Sequence, residues 1–570
     1  MSRQPDTSQI KPAKARRTVQ IQFDDGQIWE GPKGTTLEAF ARLAADPSGP
    51  PVIACVVNGQ LRELTYHAYT DLNVRLITLA ESDGMRIYRR SLALLLVAAA
   101  EELFPTARIV IDYGLNFGGL YFEVEGHPPF TAGECQRLEA HMRRMVEADL
   151  PIHKERVPLD EVQALFEAKG WHDKLRLLPS RRKEYLTLYT LGQTRDYLHG
   201  YMVPSSGYLQ KFAVRPYGDG TVLQYPRPSQ PDVIQEPRDY PKLVAVYNEY
   251  GEWMKTLGVR DVGRLNEQLR QGQMRQVILV SEALHEKRVA NIAEEIVSRR
   301  DTVRLVMISG PSSSGKTTFS KRLAIQLRAQ GMLPVAIPLD DFIVERSKTP
   351  LDEEGDYDYE SLYSLDLELF NKVLVGLMDG ETVTMPGYNF ISGQREWREP
   401  LTISNDHIII VEGIHGLNPE LVPHIPLERI FRVYVSALTQ LNIDHHNRVP
   451  TTDTRLIRRI IRDAAQRGYT AQETISRWPK VRRGEHKWIF PFQENADVMF
   501  NSALVYELAV LKPLVEPLLL EVKPGSVPHL EAKRVLSFLQ WFEPCPADLI
   551  PDNSILREFI GGSILQDYTP

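Results

Sequence analysis

A glycine-rich segment in the middle of the chain constrains the fold more than any other feature. Residues 310–317 read Gly-Pro-Ser-Ser-Ser-Gly-Lys-Thr and match the pattern GxxxxGK[ST]. They follow the apolar run Arg304–Ile308, which has the length and β-branched content of a buried parallel strand. A strand that leads through such a loop into a helix turns backbone N–H groups toward phosphate oxygens. The sequence therefore predicts an α/β domain with a parallel sheet and a nucleoside triphosphate site.

Each polar position of this loop has a predicted role in holding ATP and Mg²⁺. The Lys316 ammonium group neutralises the β- and γ-phosphates, and the Thr317 hydroxyl is a ligand for the metal. The helix that follows adds the favourable dipole of its N-terminus. The predicted ATP-binding residues are Gly310, Ser312, Ser313, Ser314, Gly315, Lys316, Thr317 and Thr318.

Acidic residues end the two strands predicted next. Asp340 and Asp341 follow the apolar run Pro334–Leu339, and Glu412 follows the run His407–Val411. Open α/β sheets bind their ligands at the carboxyl ends of the strands. We therefore predict that Asp340 takes a proton from a hydroxyl group, and that Glu412 joins the loop threonine in holding Mg²⁺.

A basic segment supplies positive charge to this region. Arg455, Arg458, Arg459 and Arg462 recur at i, i+3, i+4 and i+7, which predicts one guanidinium face on a helix whose other face is apolar. Residues 448–487 contain 11 Lys and Arg against 4 Asp and Glu, a surplus of 7 in a chain whose net charge is −7. This segment is predicted to bind a transferring phosphoryl group.

Taken together, six ordered blocks between residues 300 and 500 resemble the uridine kinase and phosphoribulokinase branch of P-loop kinases. The blocks are the loop itself, Leu339–Phe342, Tyr357–Glu360, Pro386–Phe390, Val411–Ile414 and Thr454–Asp463 with Arg467 and Gly468. The resemblance implies an ATP- and Mg²⁺-dependent kinase with catalytic residues Asp340, Lys316, Arg459, Arg462 and Arg467. It implies that the acceptor contacts Asp340, Glu360, Tyr388, Phe390 and Arg459.

The sequence departs from the uridine kinase pattern at three positions. Gly393 stands where that family has a histidine that reads the pyrimidine, Asn389 replaces an aspartate, and Tyr469 replaces an arginine of the lid. Loss of a buried hydrogen-bonding group can change specificity by orders of magnitude. The best-supported acceptor is a nucleoside such as uridine or cytidine, giving the 5′-monophosphate. The alternatives are another small alcohol or a sugar phosphate.

The start of the chain resembles a TGS domain, the ubiquitin-like α+β module of threonyl-tRNA synthetases and several RNA-linked GTPases. The matching marks are Asp24-Asp25-Gly26, Gly34-Thr35-Thr36 and Val57-Asn58-Gly59. The resemblance implies contact with RNA or the ribosome, so an ATP-switched regulator bound to RNA is the rival function of another class.

Residues 86–240 resemble the second, editing domain of threonyl-tRNA synthetases. Their HxxxH and CxxxH pairs correspond here to Arg90 with Leu94 and to Leu198 with Met202. These side chains supply neither an imidazole nor a thiolate, so we expect an α+β scaffold without editing activity.

The 570 residues suffice for three or four domains. The predicted divisions are a disordered tail 1–17, a TGS-like domain 18–85, an editing-like domain 86–240, a helical connector 241–300, a kinase-like domain 301–500 and a helical extension 501–570. Three widely spaced cysteines and the absence of apolar runs beyond nine residues predict a cytoplasmic protein without a membrane helix. The acidic total argues against non-specific binding to polyanions, and the oligomeric state is left open.

Overall fold

The computed structural model describes residues 15–389 and 392–570. The chain folds into two compact units that alternate along the sequence. The described part of the first comprises residues 15–108 with Val124–Arg156 and Thr187–Gln235. The second comprises Ile109–Glu123, Val157–Leu186 and Glu236–Pro570. Residues 1–14, most of the predicted disordered tail, lie outside the described residues.

Short strands dominate the first 235 residues. These strands are β1 (Thr18–Phe23), β2 (Ile28–Pro32), β3 (Thr35–Thr36), β4 (Val52–Val57), β5 (Gln60–Glu63), β6 (His67–Ala68), β7 (Leu72–Thr78), β8 (Arg108–Leu115), β9 (Gly119–Glu125), β10 (Ile152–Pro158), β11 (Tyr185–Leu191), β12 (Thr194–Asp196), β13 (Ala213–Tyr217) and β14 (Gly220–Gln224). The helices are α1 (Leu37–Ala44), α2 (Ser82–Leu103), α3 (Ala132–Glu147), α4 (Leu159–Lys169) and α5 (His172–Leu177).

The first unit begins with a sheet in the order β2-β1-β7-β4-β5. Alternate residues of β1, Val19 and Ile21, point into a core that also contains Phe40 of α1. A tight hairpin turn follows β4, and Asn58 and Gly59 adopt positive φ there, as such a turn requires. The predicted boundary at residue 85 lies inside α2, since the apolar run visible in the sequence is only the second half of that helix.

The chain beyond residue 235 consists mainly of helices that surround a five-stranded sheet. The helices are α6 (Pro241–Leu257), α7 (Val262–Arg270), α8 (Met274–Val297), α9 (Lys316–Ala329), α10 (Leu367–Met378), α11 (Thr451–Arg462), α12 (Ala471–Trp488), α13 (Glu507–Leu520), α14 (Val527–Leu539) and α15 (Arg557–Ile560). The strands are β15 (Leu305–Ser309), β16 (Leu333–Pro338), β17 (Val383–Asn389), β18 (Gln394–Leu401), β19 (His407–Glu412), β20 (Ile430–Ser436) and β21 (Val498–Asn501).

The predicted parallel sheet is confirmed. Its order is β16-β19-β15-β20-β21, and each neighbouring pair is parallel. All five residues of β15 are buried, which explains its unbroken apolar sequence. The connection after β15 runs to the β16 edge of the sheet, whereas the connection after β19 crosses to β20 on the other side. The carboxyl ends of the adjacent strands β15 and β19 therefore flank a crevice.

An antiparallel hairpin, β17–β18, lies between α10 and β19 in the sequence. It supplies side chains to the same carboxyl edge, as shown below. Within the described residues, no helix is long and apolar enough to cross a membrane.

Candidate active site

The loop between β15 and α9 has the backbone that its glycines predict. A Cβ atom on Gly310 would lie 1.9 Å from the carbonyl oxygen of Val435, so only glycine fits there. Ser313 and Gly315 adopt φ of 58° and 83°, in the left-handed region. Residues 313–316 are buried, so the loop is packed against the rest of the domain.

Lys316 and Thr317 start α9 and face the end of β19. The Lys316 Nζ atom donates to the Pro311 carbonyl at 3.2 Å and lies 3.9 Å from Glu412 Oε1. The Thr317 hydroxyl donates to Glu412 Oε2 at 3.3 Å. Burial raises the pKa of Glu412, and the nearby Lys316 charge opposes this shift. A hydroxyl and a carboxylate side by side form an oxygen donor set of the kind that Mg²⁺ prefers, so this pair fits the predicted metal.

The two aspartates after β16 differ in their partners. Asp341 is held by Arg398 of β18 through two hydrogen bonds of 2.7 Å. Gly387 permits this contact, because a Cβ atom there would lie 2.7 Å from Arg398 Nε. Asp340 instead lies exposed in the crevice, where crowding by protein atoms raises its pKa by desolvation and the charges of Lys316, Arg467 and Arg462 lower it. The geometry therefore leaves Asp340, and not Asp341, available to a ligand.

The predicted guanidinium face of α11 is only partly correct. Arg455 and Arg458 are fully buried and form ion pairs with Glu485 and Glu507. Arg455 Nη1 also donates to the Ser312 carbonyl at 3.1 Å. Although burial alone would raise it, the pKa of Glu485 is lowered because Arg455 and Arg482 donate to it. These two arginines support the loop from behind and do not present their charge to the crevice.

The other three predicted arginines surround one buried acid. Arg459 Nε donates to Asp463 at 3.2 Å, and Arg462 and Arg467 lie 3.6 and 3.4 Å from the same carboxylate. Arg459 also reaches the loop, where Nη1 donates to the Ser312 hydroxyl at 2.9 Å. Contacts with Asp463 therefore hold Arg459, Arg462 and Arg467 together beside the phosphate loop.

Two further predicted acceptor residues, Tyr388 and Glu360, are described by the structure. Tyr388 is buried at the end of β17, and Glu360 is half-buried. Phe390, the remaining predicted residue, lies outside the described residues. Gly393 has a φ of 70°, and a Cβ atom there would lie 3.0 Å from the guanidinium carbon of Arg346. An arginine thus stands close to the position of the missing histidine.

Helix α12 packs against Glu360, one of the predicted acceptor residues. A Cβ atom on Gly484 would lie 2.5 Å from the Cβ of Glu360, so this glycine lets α12 pack directly on the acceptor residue. Desolvation raises the pKa of Glu360 to about 7, although the positive charge of Arg459 acts to lower it.

Helix α12 also forms ion pairs with an acidic loop. Lys480 lies 3.1 Å from Asp352 and 3.3 Å from Glu354. This lysine also pairs with Asp356, and Arg483 lies 2.9 Å from Glu354, so two cations of α12 offset part of the charge of the three acids Asp352, Glu354 and Asp356.

We expect Gly484→Ala to destabilise the protein and to weaken acceptor binding. The added methyl overlaps Glu360, and overpacking typically lowers the free energy of unfolding by about 1 to 3 kcal/mol. Gly251→Ala is the matched control, since Gly251 is also inside a helix but has no neighbour within 4 Å of an added Cβ. That control should stabilise by about 0.5 to 1 kcal/mol. Denaturant melts of both variants test this, and equal effects would contradict the proposed contact.

Sequence reasoning missed three acids of this site. Glu485 and Glu507 neutralise the buried arginines, and Glu558 of the C-terminal segment accepts from the Thr318 hydroxyl at 2.9 Å. Four arginines on one helix without matching acids nearby in the sequence indicate that acidic residues from other elements pair with them. Nothing in the local pattern showed which acids these are.

In the first unit, the side chains at the positions that correspond to the two editing pairs are packed or hydrogen-bonded within the protein. Leu94, Leu198 and Met202 are buried, and Arg90 donates to the Tyr201 carbonyl at 2.8 Å. A Cβ atom on Gly200 would lie 2.5 Å from the Arg90 guanidinium carbon. Arginine, leucine and methionine side chains therefore occupy the space in which a metal-binding pair would lie.

Residues 305–509 match the model of the Phosphoribulokinase / Uridine kinase family, which identifies this part of the chain as a P-loop kinase domain. The N-terminal region matches threonine–tRNA ligases: that of Bacillus velezensis is 31% identical over 195 residues, and that of Coxiella burnetii is 28% identical over 193 residues. Each match covers 34% of this chain and 30% of the ligase, so the chain spans less than a third of the length of these relatives.

A solved structure described as a "Possible Uridine Kinase from Bacillus stearothermophilus" is also similar to this chain. It is 22% identical with a TM-score of 0.25, and the alignment covers 36% of this chain and 100% of that one.

Proposed function

We propose that this protein transfers the γ-phosphoryl group of ATP to a hydroxyl group of a small molecule, with a nucleoside as the best candidate. One observation carries the proposal: Asp340 lies open in the crevice beside Lys316, while Arg398 holds its neighbour Asp341 away. A phosphate loop alone would also suit an ATPase. A free carboxylate beside an acceptor pocket is what an alcohol phosphotransferase needs.

Different residues of the chain bind the triphosphate, accept the proton and stabilise the transferring group. The loop N–H groups and Lys316 bind the triphosphate, and Thr317 with Glu412 would hold Mg²⁺, which neutralises phosphate charge when it is bound. Asp340 accepts the proton of the acceptor hydroxyl as its oxygen forms a bond to the γ-phosphorus. The bond from that phosphorus to the bridging oxygen breaks, and ADP leaves. Arg459, Arg462 and Arg467 stabilise the charge on the transferring group.

Two features of the acceptor side favour different substrates. The buried ring of Tyr388 and the carboxyl of Glu360 suit the base and the hydroxyls of a nucleoside. Arg346, next to Gly393, supplies a cation where the uridine kinase pattern has a histidine, and this favours an acceptor with a phosphate group. A sugar phosphate is therefore the second candidate.

An acceptor panel tests the proposal. Purified protein with MgATP is offered nucleosides, sugar phosphates and simple polyols, and release of ADP is measured with Asp340→Asn as the blank. We expect one class to raise ADP release well above the rate without an acceptor. If no member does so while the protein co-purifies with tRNA or ribosomes, the ATP-switched regulator is the better function.

We expect acceptor binding to depend on the ionisation of Glu360. Because its pKa is raised from 4.5 to about 7, this carboxyl is mostly protonated at pH 6 and mostly ionised at pH 8. Only the carboxylate accepts hydrogen bonds through both oxygens, so KM for the acceptor should fall about tenfold over this range, as the competent fraction rises. The charges that act on Glu360 come from Arg459, Glu485, Asp358 and Lys316. Glu360→Gln should flatten the profile, and a KM that rises with pH would contradict the role.

We also propose that residues 18–85 are a TGS module that contacts RNA. Support comes from the five-stranded sheet with α1 and from the match of the N-terminal region to threonine–tRNA ligases. Filter binding with tRNA at several salt concentrations tests this contact, since phosphate contacts weaken steeply as salt rises.

A further inference from the structure

The C-terminal segment Ser554–Leu565 packs against the phosphate loop. A Cβ atom on Gly315 would lie 2.7 Å from Ile555 Cγ2. Ile555 and Phe559 are almost completely buried, and the Phe559 ring lies 5.0 Å from the guanidinium carbon of Arg458. The backbone of this segment is therefore anchored in the core of the second unit.

One carboxylate of the segment occupies hydrogen-bond donors at the start of α9. Glu558 Oε2 accepts from the Thr318 hydroxyl at 2.9 Å and from the Thr318 backbone N–H at 3.3 Å. Thr318 is the third residue of α9, so its N–H has no partner within the helix. In a GxxxxGK[ST] loop, such N–H groups are donors to nucleotide phosphates. The carboxylate thus holds a position that an anionic phosphate oxygen would take.

The negative charge of Glu558 also affects the pKa values of two other groups of the site. Burial raises the pKa of Glu412, and the Glu558 charge adds to this shift. Burial lowers the pKa of Arg462, and the Glu558 charge opposes that shift. A second anion in the same place would be repelled by it. Two anions cannot share the Thr318 donors, so occupation by the carboxylate and by a nucleotide phosphate exclude one another.

We propose that Glu558 is a built-in competitor of the donor nucleotide, which ATP displaces from Thr318 when it binds. The inference rests on the proposed function, because it takes the loop as the ATP site. Since the segment is anchored by Ile555 and Phe559, displacement requires the Glu558 side chain to rotate and does not require the segment to detach. The apparent affinity for ATP equals the intrinsic affinity multiplied by the fraction of molecules in which the carboxylate leaves the Thr318 donors free.

Nucleotide titrations of the full-length protein test this proposal. If Glu558 occupies the donors in about nine molecules of ten, Glu558→Gln and Glu558→Ala should each lower the Kd for MgATP about tenfold. Asp567→Asn is the matched control, because it removes the same charge from an exposed position of the same tail and should leave Kd unchanged. Adenosine, which carries no phosphate, should bind all variants equally.

The outcomes separate this inference from the proposed function. If the wild-type protein binds MgATP and phosphorylates an acceptor but Glu558→Gln has an unchanged or higher Kd, Glu558 is no competitor and only this inference fails. An equal gain in adenosine affinity would also overturn it, since the residue would then shape the base pocket. If the wild-type protein binds no nucleotide, both proposals fail. Glu558→Asp retains the charge on a shorter side chain and should give a smaller gain, which provides a test if the other variants fold poorly.

Discussion

Asp340→Asn should lower kcat about a thousandfold while the Kd for MgATP changes less than about twofold. Asparagine has the same size but cannot take the proton of the acceptor hydroxyl, and general base catalysis contributes about 10²- to 10⁴-fold. The nucleotide keeps its contacts with the loop, because Asp340 follows β16 and makes none of the loop's own hydrogen bonds. Acceptor turnover and nucleotide titration on the same preparation measure the two effects.

Asp341→Asn is the matched control for this experiment. It makes the same change at the neighbouring residue, whose carboxylate is held by Arg398. We expect less than a tenfold loss of kcat, together with a lower melting temperature. If the two variants lost activity equally, or if Asp340→Asn weakened ATP binding as much as turnover, the assignment of the base would be wrong.

Lys316→Ala should weaken MgATP binding and turnover together, each by about 10²- to 10³-fold. The ammonium group is the one cation of the loop sequence itself, and loss of a positioned donor to transition-state charge typically costs about 3 to 4 kcal/mol. Binding suffers as well, because the same charge offsets the phosphates in the ground state.

Lys372→Ala provides the comparison for Lys316→Ala. Lys372 is exposed on α10, so its removal changes the net charge equally without altering the loop. We expect it to retain wild-type Kd and kcat. A fully active Lys316→Ala protein would show that the loop does not hold the reacting nucleotide.

The parts of this structure that follow from local sequence were predictable. The strand Leu305–Ser309, the glycine loop and the acids at strand ends depend on neighbours in the chain, so residue type and spacing suffice. The parallel arrangement then brings Lys316, Asp340 and Glu412 to one edge without further information.

The errors arise where distant acids decide the position of a cation. Arg455 and Arg458 have the spacing of an exposed face, yet Glu485 and Glu507, 30 and 49 residues away, neutralise them in the interior. A buried charge is tolerated only when it is paired, and periodicity cannot identify the partner. Glu558 lies 240 residues from Thr318 and escaped prediction for the same reason. The role of Gly484 depends on the close approach of Glu360, which only the folded structure shows.

The alternation of the two compact units along the chain limits how the protein can be divided into fragments. Lys174 and Asp444 form a buried ion pair within the second unit, and the Ile111 N–H donates to the His445 carbonyl at 2.8 Å. A gene fragment that begins just before the kinase-matching region would lack both Ile111 and Lys174. Breaking such a pair leaves a buried charge, at a cost of about 3 to 5 kcal/mol. Cutting the chain just before the kinase-matching region thus removes packing partners of that region, and deletion mapping by single cuts would report misfolding in place of lost function.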